Sequence, residues 1–291
     1  MKNILITILV CLIFAGCKNS KSVNEKNKLD SIIQLNPLLN SEWAKNKFWD
    51  DGKAEVAQYK AKRIIYKKER DFEYTMITVS EVFNKEFLTK TDDYNRKDNF
   101  DVMKVNFIAR IETDNYPYHF LTSFFTFRNN PEYVFKYTNS SQEWCGNTFK
   151  EISKSSKGYT INYHSYWDGE GSGNKTINEN VWLEDQLFLT LRTLKFNEIK
   201  EFKHKVLESQ ISSKIGKLIV FDANFTISNS DSIIINNQNY TTYKVKINLD
   251  SEKVNEYVFT KEYPNYLVSY NSWDGRSLIL NKVERDDYWN F

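Results

Sequence analysis

The segment Gln142-Glu143-Trp144-Cys145-Gly146 concentrates side chains that could take part in chemistry. A cysteine with a histidine nearby is the minimum for a thiol nucleophile, so hydrolysis at Cys145 would require the fold to bring His119 or His164 beside it. The Glu143 carboxylate works against this role, because a nearby negative charge disfavours the reactive thiolate. We therefore expect Cys145 to be a buried, inert cysteine, and a Cys–His hydrolase is the alternative.

Carboxylates close to tryptophans provide a second candidate chemistry. Paired carboxylates can hydrolyse glycosidic bonds, and a tryptophan beside a carboxylate is also typical of sugar-binding surfaces, where the ring covers an apolar sugar face. The carboxylates concerned are Asp50, Asp51, Glu143, Asp168 and Asp274. The candidate functional cluster combines residues of the segment above with one of the histidines and one Trp-Asp pair. It consists of Gln142, Glu143, Trp144, Cys145, His119, Trp167 and Asp168.

A short pattern recurs along the chain. Tyr163-His164-Ser165-Tyr166-Trp167-Asp168-Gly169 is echoed by Tyr270-Asn271-Ser272-Trp273-Asp274-Gly275, and Phe48-Trp49-Asp50-Asp51-Gly52 is a looser copy. Two halves of similar layout, about 48–180 and 181–291, would explain the echo. Repeated use of Asp-Gly in tight turns would explain it equally well. Both interpretations stay open.

Metal, phosphate and cofactor sites are not indicated by the sequence. The three histidines, at positions 119, 164 and 204, lack the spacing of a metal site. The run from Gly169 to Gly173 is too compact for a phosphate-binding glycine fingerprint, so we interpret it as a hairpin turn. We therefore expect neither a metal nor a cofactor.

The N-terminal residues resemble a bacterial export signal. A short basic start precedes an apolar run from Ile4 to Ala15, and Ala15-Gly16-Cys17 resembles a lipobox, in which cleavage precedes an acylated cysteine. We predict a signal peptide over 1–16, a lipidated polar tether over 17–36 and a β-rich domain over 37–291. The acyl chains on Cys17 would make the membrane a partner of the mature protein.

Charge and hydropathy narrow the other partners and the location. The formal net charge is +2 and the charges are interspersed, so a nucleic-acid partner is not expected. No later stretch approaches the length of a transmembrane helix, which leaves the lipid as the predicted attachment. Lys18 stands where enteric lipoproteins retained in the inner membrane carry Asp, which favours the outer membrane, facing the periplasm.

The composition and local patterns favour strands. Aromatic residues make up 15% of the chain, and the run from Met103 to Ile111 alternates apolar with polar residues, as a half-buried antiparallel strand does. Leu183 to Leu194 is the best helix candidate, because its leucines fall on one face. We predict a mainly β fold, a large antiparallel curved sheet or open half-barrel with one or two short helices. Further strands are predicted over 54–66, 74–79, 119–127, 133–137, 158–163, 205–207, 218–221, 232–235, 243–247, 257–260, 267–270 and 278–283.

Three segments carry a resemblance to a known family. They are Phe48 to Val56, Tyr116-Pro117-Tyr118-His119, and Ser141 to Gly146. Together they resemble uncharacterised Gram-negative lipoproteins with a Gln-Glu-Trp-Cys-Gly motif, often labelled septum formation inhibitor Maf. The resemblance covers most of the mature chain and implies no activity. True Maf proteins are cytosolic nucleotide pyrophosphatases with a Pro-Arg-Arg loop, and this chain has no Pro-Arg pair, so we reject that function.

The C-terminal half, from about Leu183 to Trp289, resembles periplasmic half-barrel domains of unknown function that are related to lipoprotein carriers. That resemblance implies a curved sheet with an apolar groove, and its candidate wall is Phe120, Phe124 and Tyr163. We therefore expect a lipid-anchored envelope protein, more a non-enzymatic binding or structural module than an enzyme, that holds a lipid or another apolar ligand. The alternative is a hydrolase that uses Cys145 with a histidine, or a carboxylate site.

Overall fold

Strands and short helical turns make up the part of the chain that the computed structural model describes, residues 36–235 and 237–290. The predicted signal peptide, Cys17 and nearly all of the predicted tether lie outside these residues. The strands belong to one 16-stranded sheet. In chain order they are β1 (Ala54–Ile65), β2 (Lys68–Asn84), β3 (Thr89–Lys90), β4 (Asn99–Ile111), β5 (Tyr118–Phe127), β6 (Asn130–Glu143), β7 (Gly146–Lys154), β8 (Tyr159–His164), β9 (Ser172–Ile177), β10 (Trp182–Leu183), β11 (Glu201–Leu207), β12 (Val220–Ile235), β13 (Gln238–Asn248), β14 (Val254–Thr260), β15 (Leu267–Asn271) and β16 (Ser277–Asp286).

The helices of the described residues are short. One α-helical turn, α1 (Leu187–Thr190), is flanked by the 3-10 turns Glu184–Gln186 and Leu191–Thr193. Two further 3-10 turns, Trp43–Lys45 and Lys47–Trp49, lie near the start of the described residues. The prediction of a mainly β fold, with a large curved antiparallel sheet and short helices, is confirmed.

The sheet runs in the order β10-β11-β12-β13-β14-β15-β16-β1-β2-β4-β5-β6-β7-β8-β9, and β3 pairs with β2. Neighbouring strands are antiparallel, except for the parallel pair β10 and β11. The two outermost strands, β9 and β10, are consecutive in the chain, so the residues between them hold the two edges of the sheet close together. Across this seam, Lys205 of β11 forms an ion pair with Glu179 at 2.7 Å. The sheet therefore curves round until its edges approach.

Alternation along each strand builds the interior. In β4 the side chains of Met103, Val105, Phe107 and Ala109 are buried, and those between them are more exposed. Because successive side chains of a strand point to opposite faces, one face of the curved sheet supplies a continuous apolar lining.

The leucine-rich segment fills this interior. Every residue from Val181 to Leu194 is buried, where the sequence pattern predicted a helix with one apolar face. A helical segment buried all round must be enclosed on all sides. The Phe188 ring lies 5.3 Å from that of Phe107 on β4 and 5.1 Å from that of Tyr270 on β15, two strands that three others separate in the sheet. The centre of the molecule is thus packed with side chains.

The two open ends of the curved sheet are covered differently. At one end, the residues before β1 pack into the opening, where Trp43 and Trp49 lie 5.1 Å apart and Leu39 bridges to Leu194. At the other end lie the turns between β1 and β2, β4 and β5, β6 and β7, β8 and β9, and β15 and β16, as the antiparallel registers require. The irregular segment 208–219 between β11 and β12 lies at this same end. We call it the cover segment.

Candidate functional site

A cavity of about 40 Å³ lies beneath the cover segment. Its wall is largely aromatic and apolar, with charged groups at its edge. The apolar wall is formed by Phe72, Tyr74, Phe188, Ile211, Tyr270 and Leu278. A space of this size holds a water molecule or a carboxylate-sized group and is far smaller than the pockets that bind whole small molecules.

Arg63 is the distinctive charge on this wall. Its Nη2 donates a hydrogen bond to the backbone oxygen of Ile211, 2.7 Å away, and its guanidinium lies 5.0 Å from the centre of the Phe120 ring. No carboxylate oxygen of the described residues lies within 4.0 Å of this guanidinium. Burial, together with the nearby positive charge of Arg276, lowers the pKa of Arg63 to about 10. Arg63 is therefore a cation without a paired anion.

The other charges of the cavity already have close partners. Arg276 pairs with Glu184 at 2.8 Å and with Asp274 at 2.7 Å. Lys62 pairs with Glu69 at 2.5 Å.

Asp185, the one carboxylate on the cavity wall, has neutral partners. It accepts hydrogen bonds from Tyr137 Oη at 2.8 Å, Ser209 Oγ at 2.5 Å and Gln210 N at 2.8 Å. Its oxygens are thus engaged by the sheet and by the cover segment, which leaves Arg63 without an ionic partner.

Lys150 holds the cover segment from below. Its side chain is completely buried, and Nζ donates to Gln210 O at 2.6 Å, Ser212 Oγ at 3.0 Å and Lys214 O at 2.8 Å. Burial lowers the pKa of this amine to about 8. Lys150 lies on β7, directly after the Gln-Glu-Trp-Cys-Gly motif, so this strand connects the motif to the cover.

The turn between β8 and β9 holds the cover segment from the side. Glu170 accepts hydrogen bonds from the backbone nitrogens of Ile215 and Gly216, at 3.1 and 3.0 Å, and Trp167 Nε1 donates to Ser213 O at 3.0 Å. Within the described residues, the hydrogen bonds that join the middle of the cover segment to the rest of the molecule all use side chains of the surrounding elements. Side chains therefore hold the cover segment in place, and its middle residues do not pair with a strand of the sheet.

The candidate thiol lies outside the cavity. Cys145 and Trp144 form the tight turn between β6 and β7, and Cys145 is exposed, so the expectation of a buried cysteine is wrong. A residue at the tip of a hairpin has no sheet above it to cover its side chain. Cys145 Sγ lies 3.1 Å from Tyr116 Oη.

The candidate histidines have other surroundings. His119 is exposed on β5 opposite Gln142, and His164 Nδ1 lies 3.1 Å from Ser172 Oγ. Neither histidine is among the hydrogen-bond partners that the described residues provide for Cys145. The Cys–His pair therefore stays a prediction without a contact that favours it.

The carboxylates near tryptophans mostly serve as ion-pair partners of arginines. Asp50 pairs with Arg128 at 2.6 Å, and Asp51 pairs with Arg285 at 2.5 Å. Asp274 pairs with Arg276, as described above. Asp168 is exposed in the hairpin turn between β8 and β9, where the glycine-rich run was predicted to turn.

An aromatic row connects the sequence motif to the cavity. Trp144, which is 79% exposed, stacks on Tyr116 with ring centres 6.1 Å apart. Tyr116 lies 5.8 Å from Tyr118, and Tyr118 stacks on Phe120 at 6.2 Å. Phe120 is the ring beneath Arg63. The row thus runs from an exposed hairpin tip to the unpaired cation.

A second, open groove of about 300 Å³ lies near the C-terminal Trp289. Its carboxylate, Glu81, pairs with Lys90 at 3.3 Å and with Lys104 at 2.7 Å. The carboxylate of this groove is therefore already paired.

In the described ranges, no group of three or more His, Cys, Asp or Glu residues is placed to hold a metal ion. None of the helices in those ranges is long and apolar enough to cross a membrane.

Comparison with known proteins identifies similarity only in the fold. No family model and no curated protein matches the sequence. Among solved structures, a β-barrel-like protein of the domain of unknown function DUF1849 from Brucella abortus is 6% identical, with a TM-score of 0.48 over 81% of this chain and 98% of that chain. Function must therefore be inferred from the residues of this chain.

Proposed function

We propose that the protein is a lipid-anchored, non-enzymatic binding module of the cell envelope, which holds a small ligand with an apolar body beneath the cover segment. The observation that carries this proposal is the aromatic-walled cavity, partly covered by a segment that side chains fasten. Such a closure can be displaced without breaking the sheet, because no ladder hydrogen bond has to be given up.

The interior of the curved sheet is filled with side chains. This packing favours a ligand site at the end that carries the cover segment, and it disfavours an acyl chain that runs through the interior. Phe124, a predicted groove wall residue, is fully buried, and its ring lies 5.8 Å from that of Phe107. Phe120 is also buried, and Tyr163 is half-buried. With α1 occupying the centre, the space available to a ligand is the cavity and what the cover segment vacates.

The surroundings of the candidate reactive groups support binding over catalysis. Cys145 has a tyrosine hydroxyl as its partner, and Asp50, Asp51 and Asp274 are paired with arginines. A general base or nucleophile needs a free acceptor or an activating partner, and these contacts provide neither.

The anchor can be tested by metabolic labelling. When the full chain is expressed with an alkyne-tagged palmitate, we expect the label to appear on the wild-type protein and to be absent from a Cys17→Ser variant. Fractionation of the envelope should place the labelled protein in the outer membrane. Equal labelling of both proteins would rule out Cys17 as the acylated residue.

Ligand binding can be tested on the full chain in detergent with two probes of nearly equal shape, benzoate and benzamide. We expect saturation-transfer NMR to detect binding of at least one probe to the wild type and reduced binding to Ala109→Phe, because Ala109 lines the cavity from the buried face of β4. If that variant does not fold, Ile211→Trp in the cover segment serves the same purpose. No binding of either probe to the wild type would contradict the proposed function.

A further inference from the structure

The charges that line the cavity indicate that its ligand carries a negative charge. This step rests on the proposed function, because it concerns the ligand of the same cavity. Arg276 and Lys62 are neutralised by carboxylates at 2.8 Å or less. Arg63 has no such partner within the described residues. Arg63 is half-buried, and a cation that is partly withdrawn from water without a paired anion carries a cost that an anionic ligand lowers.

The free donors of Arg63 are available on the cavity side. A guanidinium carries five N–H donors, and among the described residues Ile211 O is the one acceptor that hydrogen-bonds to it. The centre of the Phe120 ring lies 5.0 Å from the guanidinium carbon, and the ring limits the positions that the group can take. A planar fork held in this way suits a planar acceptor with two oxygens.

The rest of the wall narrows the kind of anion. Asp185 lies on the same wall and repels negative charge, which disfavours a dianion such as phosphate. Phe72, Tyr74 and Tyr270 provide apolar surface for the body of the ligand. We propose that the ligand is a monocarboxylate with an apolar body, that its carboxylate binds Arg63, and that it displaces the backbone oxygen of Ile211 in doing so.

This exchange couples binding to movement of the cover segment. The cavity of about 40 Å³ is too small for a ligand with an apolar body, so the ligand needs the space that Ile211 occupies. The charged hydrogen bonds that its carboxylate forms with Arg63 compensate for the loss of the bond to Ile211 O. Ile211 itself lines the cavity, so its departure also makes room for the ligand body. The contact between Ile211 O and Arg63, which holds the cover segment over the cavity, is thus released by the ligand.

The experiment compares the affinities of benzoate, benzamide and inorganic phosphate for the full chain by calorimetry. We expect benzoate to bind about tenfold or more tightly than benzamide, as a charged hydrogen-bond partner requires, and phosphate to bind no better than benzamide. In Arg63→Gln the preference for benzoate should fall to within about twofold. The control is Lys62→Gln, the adjacent residue already paired with Glu69, which should retain the preference.

A second measurement does not depend on a variant. Hydrogen exchange of the amides over 209–216 in the wild type should become faster with saturating benzoate, because Ile211 leaves Arg63. Slower or unchanged exchange would overturn the displacement of Ile211.

The outcomes separate this inference from the proposed function. Equal binding of benzoate and benzamide to the wild type would overturn the carboxylate and leave the binding module standing. Tight phosphate binding would overturn the restriction to a monocarboxylate. Failure of both aromatic probes would overturn the proposed function itself.

Discussion

At the scale of single residues, Lys150 connects the cover segment to pH. Burial lowers its pKa to about 8 in the folded protein, against 10.5 for an ordinary lysine. Between these two values the unfolded chain binds more protons than the folded chain, so the free energy of unfolding should rise with pH, by up to about 3 kcal/mol. Urea unfolding of the wild type at about pH 7.5, 8.5 and 9.5 measures the rise below the range in which the buried tyrosines, whose pKa burial raises, would oppose it.

The control for this prediction is Lys175 of β9, a second lysine that donates a hydrogen bond to the cover segment. Lys150→Met should remove the rise, whereas Lys175→Met should keep it, because Lys175 donates to Gly216 O from an exposed position. A rise of equal size in Lys150→Met would show that other groups cause it.

A second residue-scale prediction concerns the buried ion pair at the opposite end. Arg192 and Glu55 share two hydrogen bonds, of 2.8 and 2.7 Å, and both side chains are almost fully buried. Removing one partner strands a buried charge, so Glu55→Gln should lower the free energy of unfolding by about 3–5 kcal/mol. Thermal or urea unfolding measures this loss.

An exposed ion pair provides the matched comparison. Arg110 and Glu112 pair at 2.7 Å with both side chains largely exposed, so Glu112→Gln should change stability by no more than about 0.5 kcal/mol. Losses of equal size at Glu55 and Glu112 would contradict the importance of burial.

The site residues show how far the sequence alone reaches. Glu143, Trp144 and Cys145 were singled out by type, and the structure connects them to the cavity through an aromatic row and to the cover segment through β7. Arg63 was missed, because charged residues are common in this region of the chain. Its position two residues after Ala61, on the inward face of β1, is the signal that could have found it.

At the scale of elements, strand prediction failed where the inward residues are polar. β7 was not predicted, because Thr148 and Lys150 occupy inward positions where the alternation rule expects apolar residues. Both are buried, and Lys150 is needed there to hold the cover. β4 was predicted over most of its length, because its inward positions are almost all apolar. Where polar residues occupy inward positions, the sequence lacks the alternation of apolar and polar residues from which a strand is predicted.

A prediction at the scale of elements concerns Cys145 in the hairpin between β6 and β7. Because the turn leaves Cys145 exposed, iodoacetamide should alkylate it in the folded full chain at neutral pH, without denaturant. Mass spectrometry would detect the modification, and Cys145→Ser is the control. The rate should match that of an ordinary exposed thiol, and a much faster rate would instead favour the Cys–His alternative. Modification only after denaturation would contradict the position of this turn.

At the scale of the whole molecule, the two predicted halves share one sheet and one interior. β1 of the first half pairs with β16 of the second, and the central segment packs against both. Phe188, from the second half, lies 5.3 Å from Phe107 in the first half and 5.6 Å from Tyr257 in its own. The two close copies of Trp-Asp-Gly both lie in turns at the cover end. A true duplication remains a prediction, but the packing has a direct consequence for folding.

That consequence is that neither half should fold alone. A fragment over 1–180 would lose the central segment and expose the apolar lining of β2 and β4, and a fragment over 181–291 would leave Phe188 half-covered. We expect each fragment to lack a cooperative unfolding transition by circular dichroism, and co-expression of the two to restore a complex. Cooperative unfolding of an isolated fragment would mean that the halves are independent domains, because the shared interior would then be dispensable.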